Sequence, residues 1–309
     1  MFYNLTAIKS CSNITQAFDS YSSAILISLN ICSAIINLMH IGLLISTSKR
    51  SGYFWILVNL TIADIVAALF FAVRSWCGMY ALQLSSGNIL GAAILSLGMQ
   101  TASQVRYFEL TLASLDRFYA VCRPFDYSNS RLVNHIGKMS ILCWIFNLLF
   151  VTVKISITSF DACLSTRGLV SNSARMRYMQ MISFVLTALP ALATAVLLGK
   201  AAKELHKMKQ RGNAREDNQE IKTATKYIIG TCILLYSTVA VLIMYLVLKE
   251  VVEDEENVGV KVFQWANALG QSAFGIANVV LYAILYPTYA RRVKNILRCR
   301  FSDIRVSPN

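Results

Sequence analysis

Four charged residues, Arg106, Glu109, Asp116 and Arg117, fall within or at the end of one apolar run long enough to cross a membrane. A fifth, Asp64, lies near the middle of another such run. A charge at the centre of a bilayer costs about 2.5–3.5 kcal/mol even on the insertion scale, so these residues should pair or face a polar interior. Their chemistry is then ion pairing, ion binding or proton passage. Arg106 precedes Arg117 by eleven residues, about three turns of helix, which puts both on nearly one face. One partner open to Arg106 is Asp64, the other charge placed mid-span. A rival pairing joins Arg106 to Glu109, one turn on, and leaves Asp64 to an ion or a proton. Asp116 and Arg117 also have a plainer reading: a solvated pair that marks where a helix leaves the membrane and contributes little.

No other chemistry is signalled. The eight cysteines are scattered singly without a Cys-x-x-Cys pair, so no zinc site is expected. There is no Gly-rich phosphate loop, His-Glu-x-x-His or Gly-x-Ser-x-Gly. Neither an enzyme nor a cofactor is expected, and no metal. The chain has 309 residues, 56% of them hydrophobic and only 15% charged, with a mean hydropathy of +0.52. So apolar a composition points to a protein that crosses the membrane several times. The net charge of +13 would suit nucleic acid in a soluble protein; here its placement matters more than its sum, and no nucleic-acid partner is expected.

The elements that must position the charges follow from hydropathy. Apolar runs at about 24–46, 54–76, 88–121, 139–158, 179–199, 227–248 and 262–284 each approach or exceed the ~20 residues needed to span a bilayer. The third is broken by polar residues. Lys49 and Arg50, then Arg123, Arg131 and Lys138, then the basic stretch from Lys200 to Lys226 follow the odd-numbered runs. The opposite side carries the acidic Glu253-Asp-Glu-Glu256. The positive-inside rule therefore puts the N-terminus outside and the tail in the cytoplasm. Two glycosylation sequons, at Asn4 and Asn13, agree, and no cleaved signal peptide is expected. The fold expected is an all-α, seven-transmembrane bundle over 23–285, with an outer N-terminus at 1–22 and a short basic amphipathic cytoplasmic helix and tail over 286–309.

Motifs in these spans resemble those of the rhodopsin-like (class A) G-protein-coupled receptors. Span one holds Asn37, and span two reads Asn59-Leu-Thr-Ile-Ala-Asp64. Span three ends in Leu115-Asp-Arg-Phe118, close to the family's Asp-Arg-Tyr. Span four has Trp144 and span five Pro190. Span seven reads Asn278-Val-Val-Leu-Tyr282, close to Asn-Pro-x-x-Tyr with Val279 for Pro. Each match is weak alone; their order across nearly the whole chain is specific.

The resemblance implies a switch of Asp116, Arg117, Asn278 and Tyr282, in which the arginine rests on its neighbouring acid and turns to a G-protein on activation. Glu220, at the entry to span six, is the acid that would hold Arg117 from that helix. In the family the counterpart of Asp64 binds sodium, and Arg106 stands about where a small hydroxyl residue usually lies near that ion. Asp64, Arg106, Asn37 and Glu109 are thus expected to form a buried polar core, with Arg106 replacing the sodium. The outer thirds of the helices would line a ligand pocket, with Arg74, Met99, Gln100, Ser103, Gln104, Lys154, Gln180, Tyr236, Trp265 and Gln271 as candidates by depth and face. Met99 replaces the aspartate of amine receptors, and Ser272 stands where an opsin carries its retinal-linked lysine, which disfavours both ligand classes. Arg74 and Lys154 suit an anionic ligand, or else snorkel to the interface.

Three implied features depart from the pattern. The family's Cys-Trp-x-Pro is missing from span six, where Tyr236 is the nearest aromatic, and Leu198 replaces a common tyrosine of span five. The outer disulfide lacks its usual cysteine; Cys163 suits the loop position, with Cys77 as the substitute partner and Cys11 second. Cys299 stands at a palmitoylation position. The expectation is a plasma-membrane receptor that transduces an extracellular small molecule or short peptide to a heterotrimeric G-protein, in contact with membrane lipids. The alternatives are an ion-coupled transporter or channel using Asp64, Arg106 and Glu109, and a non-signalling seven-helix scaffold.

Overall fold

The computed structural model describes residues 5–47, 52–79, 89–127, 130, 135–166, 173–210, 216–251 and 258–298. Within them lie the helices α1 (Leu5–Thr47), α2 (Gly52–Met79), α3 (Ile89–Cys122), α4 (Pro124–Tyr127), α5 (Ile136–Thr166), α6 (Ser173–Gln210), α7 (Glu216–Val251), α8 (Val258–Leu285) and α9 (Pro287–Leu297). An α-helix satisfies its own backbone polar groups, which is what a chain surrounded by hydrocarbon requires. Among the described residues six helices are long and apolar enough to cross a membrane, and α3 is not among them. Its charged residues interrupt the apolar run.

Burial is inverted relative to a water-soluble protein. The outer faces are apolar: Ile141, Leu142, Ile145 and Leu149 of α5 and Phe184, Leu189 and Leu192 of α6 are all exposed. Asn30, Asn37, Asp64, Arg106, Glu109, Asp116 and Asn278 are buried. Hydrocarbon outside and hydrogen-bonding groups inside is the arrangement a bilayer selects. Helix α3 lies at the centre, packed against α2, α4, α5, α6 and α7, while α1 and α2 both pack on α8. The α3–α6 contact is partly polar. The Thr111 hydroxyl lies 3.1 Å from the carbonyl oxygen of Pro190 and 3.0 Å from Thr194 Oγ1.

Helix α1 starts at Leu5 and so runs through most of the segment expected as a separate polar N-terminus. No proline or glycine precedes Gly42, so nothing in the backbone breaks the helix. Only Tyr21–Ser46 of it is membrane-crossing in character. The short α4 was not foreseen. The stretch after span seven forms α9, which begins with Pro287 at its first turn, where a missing N–H costs nothing. Tyr289, Val293 and Ile296 of α9 turn to the core, and Arg291, Lys294 and Arg298 are exposed.

One glycine sets how closely α1, α2 and α8 approach. A Cβ on Gly275 would lie 2.6 Å from Ser33 Oγ, 2.7 Å from Asn37 Nδ2 and 3.4 Å from Asp64 Cβ. Gly42 on α1 has nothing within 4 Å of that position. Gly275→Ala should therefore lower stability by about 1–3 kcal/mol through overpacking. Gly42→Ala should raise it by about 0.5–1 kcal/mol through the helix preference of alanine. Thermal unfolding of the two variants in one detergent checks the opposite signs.

Candidate functional site

The polar residues form a central core and a cluster at the C-terminal end of α3, both organised by that helix. In the core, Asp64 of α2 is fully buried and Arg106 of α3 is 1% exposed. Arg106 Nε lies 2.7 Å from Asp64 Oδ1. The guanidinium also lies over the Phe274 ring, 4.9 Å from its centroid, and Nη1 is 3.5 Å from Gln271 Oε1. Asn278 Nδ2 donates to Asp64 Oδ2 at 3.3 Å. Each buried charge thus meets its opposite, with neutral polar groups around the pair.

Asn278 extends the core to α7, because its carbonyl oxygen accepts from Tyr227 at 2.6 Å and from Thr231 at 3.0 Å. On the other side, Asn37 donates to the Ser33 carbonyl at 2.8 Å. Asn30 donates to Ser272 Oγ at 2.8 Å. Helices α2, α3, α7 and α8 therefore meet through polar groups, and Asn30 joins α1 to α8. Glu109 belongs elsewhere. It is fully buried, accepts a hydrogen bond from Ser140 of α5 on Oε1, and its Oε2 has no hydrogen-bond partner. Among the described residues no cation pairs with Glu109, and Arg106 turns to Asp64 instead.

Near the C-terminal end of α3, Arg117 Nε donates to Asp116 Oδ2 at 2.9 Å, and Nη2 contacts the same oxygen. Tyr127 of α4 donates to Asp116 Oδ1 at 2.9 Å. Burial, then the Asp116 carboxylate beside it, pushes the Tyr127 hydroxyl up to about 12, so it keeps its proton at neutral pH. Arg117 is only 7% exposed, and its guanidinium lies over the Tyr53 ring, 4.3 Å from the centroid. Nearby, Tyr282 stacks on Tyr286 with centroids 4.2 Å apart and meets Tyr227, Tyr289 and His40 edge-on. His40 Nδ1 lies 2.7 Å from the Tyr289 hydroxyl, which links α1 to α9. Glu220 lies on α7, but its side chain is outside the described ones.

The outer candidates are less unified. Met99 is buried, Ser103 is half-buried, and Lys154 Nζ donates to Gln100 Oε1 at 2.9 Å. Gln104 Oε1 and Trp265 Nε1 are buried without hydrogen-bond partners. Tyr236 reaches the Ala191 carbonyl at 3.5 Å, and Gln271 Nε2 reaches Thr238 Oγ1 at the same distance. Arg74 is exposed. Cys77 is a half-buried free thiol. The side chains of Cys163, Gln180 and Asn13 lie outside the described ones, as do residues Asn4 and Cys299. Leu198 is part of the buried core.

Several partners escaped the sequence reading: Tyr53, Tyr127, Ser140, Tyr227, Thr231 and Gly275. Tyr227 and Thr231 had a signal, since they are polar residues four apart in an apolar span and share one helix face. Tyr53 and Ser140 had none, because their roles follow from how α2 and α5 dock on α3.

The core geometry makes a direct energetic claim. Removing one member of a buried ion pair costs about 3–5 kcal/mol, whereas replacing both costs far less. Arg106→Met should destabilise by that amount, and Asp64→Asn combined with Arg106→Met should recover most of the loss. Chemical denaturation in micelles of the single and double variants checks it.

The polar core inside an apolar bundle, with an Asp-Arg pair closing α3, is matched by family-level similarity. The family model described as 7 transmembrane receptor (rhodopsin family) matches residues 24–273. That stretch contains Asp64, Arg106, Asp116 and Arg117 and stops short of Asn278 and Tyr282. A comparison with curated protein sequences finds no match. The match covers most of the 309 residues, and the chain belongs to the rhodopsin family of seven-transmembrane receptors.

Proposed function

We propose that this protein is a plasma-membrane receptor that couples an extracellular small molecule or short peptide to a heterotrimeric G-protein. In this reading seven helices, α3 included, cross the bilayer, with the N-terminus outside and the C-terminus in the cytoplasm. One observation carries the proposal. In a chain of this family, Arg117 sits at the inner end of α3, 7% exposed and bound to Asp116, a resting arginine that must leave its acid to reach a partner. Ligand would act by favouring the packing in which Arg117 is free, a shift between two populations of the bundle.

The remaining features fit around that switch. Asn278 and Tyr282 tie α8 to the α7 face that would move. Arg106 takes the sodium's place beside Asp64, and Asn37 and Glu109 complete the polar interior. Ligand would enter among the outer residues, where Lys154, Gln100, Gln104 and Trp265 present hydrogen-bonding groups. The basic face of α9 suits an anionic inner leaflet. Cys299 is offered as its lipidation site and Asn4 and Asn13 as glycosylation sites; Cys77, a free thiol in this structure, would pair with Cys163 as the outer disulfide in an oxidising compartment. Span six lacks the family's Trp and Pro, which favours as a second reading a scaffold that keeps the fold without signalling.

G-protein activation in cells across a broad ligand panel separates these readings. A constitutive or ligand-evoked signal should appear in the wild type and fall at least tenfold in Arg117→Ala at matched surface expression. Wild type and Arg117→Ala giving the same null signal would favour the scaffold, and ion flux in its place would favour a transporter.

A further inference from the structure

We propose that Tyr53 is the resting-state latch of Arg117: its ring face holds the guanidinium inward, doing from α2 what the family's acid on span six does elsewhere. The inference rests on the receptor reading above and names a positioning residue within it.

The geometry around Arg117 divides its surface in two. Its hydrogen-bonding edge is used by Asp116, which accepts from Nε at 2.9 Å and from Nη2 on the same oxygen. Its flat face is used by Tyr53, 4.3 Å from ring centroid to Cζ. A cation within about 6 Å of an aromatic centroid is attracted by the negative face of the ring, more strongly when water is excluded. Water is largely excluded here, since Arg117 is 7% exposed. Asp116 is itself fixed, with its other oxygen taken by Tyr127 at 2.9 Å. Arg117 therefore leaves this position only by lifting off the Tyr53 ring.

The ring also has a support that can move. Tyr53 packs against the core cluster that contains Tyr227 of α7 and Tyr282 of α8, so residues of the helices expected to shift on activation belong to the core that holds the ring. The Tyr53 hydroxyl makes no part of this contact. Oη is buried and has no hydrogen-bond partner. The latch is thus the π-face and not a hydrogen bond, and that distinction makes it testable.

The test reads basal G-protein activation at matched surface expression with position 53 varied. Tyr53→Leu should raise the basal signal by about 2- to 30-fold, the population shift one desolvated cation–π contact can hold. Tyr53→Phe should restore the low basal level by keeping the ring. Because Tyr53→Leu could also loosen packing, the decisive series replaces Tyr53 with phenylalanine carrying one, two and then three ring fluorines. Shape changes little while the negative face is drained, so basal signal should climb stepwise. A flat series, with Arg117→Ala still abolishing the signal, overturns the latch and leaves the receptor reading intact. A Tyr53→Phe level equal to that of Tyr53→Leu also overturns it. If no variant signals and Arg117→Ala equals the wild type, the receptor reading fails and the latch with it.

Discussion

The ion pair between Asp64 and Arg106 is the constraint on which the rest of the bundle depends. Two ions taken out of water each carry a desolvation cost of several kcal/mol, offset only by close geometry and further hydrogen bonds. The fold supplies both: a 2.7 Å contact and an Asn278 amide on the second carboxylate oxygen. Maintaining that geometry dictates what lies nearby. Residue 275 must be glycine-sized, because Ser33 and Asn37 already occupy the space of a side chain there. Asn278 must face inward, and so its carbonyl oxygen reaches Tyr227 and Thr231 on α7. One electrostatic requirement on α2 and α3 thereby fixes the packing of α1, α7 and α8.

The C-terminal end of α3 follows a related logic with a looser outcome. Asp116 and Arg117 are adjacent in the chain, so their contact is local and can be broken without unpacking the bundle. What surrounds them is aromatic: Tyr53 on the guanidinium face, Tyr127 on the carboxylate, and the Tyr282–Tyr286 stack beyond. The central pair is enclosed by helices on every side and acts as a fixed point. The pair at the end of α3, 7% exposed at Arg117, is where the proposed switch would move.

Much of this was legible in the sequence for one physical reason: charge in an apolar run is so costly that it must have a purpose. That argument identified Asp64, Arg106, Asp116 and Arg117, and the order of motifs identified the family. It reached the Arg106–Asp64 contact only with the help of the family resemblance, which implies a cation at that place. It left Glu109 as a rival partner because periodicity on α3 says nothing about which residue of α5 faces it, and Ser140 proved to be that residue. Tyr53 was illegible for the same reason, since its role exists only through the docking of α2 on α3. Helix α1 extends beyond its membrane-crossing part because the absence of proline and glycine lets the helix continue.

The central claim is that Arg106 is the internal cation of Asp64, in the place where the family resemblance implies sodium. The most direct measurement is thermal stability in lipid nanodiscs as choline is exchanged for sodium at constant ionic strength, for the wild type and for Arg106→Ser. The account predicts no sodium response in the wild type and a gained stabilisation in Arg106→Ser. Sodium-dependent stabilisation of the wild type, or none in either protein, would contradict it.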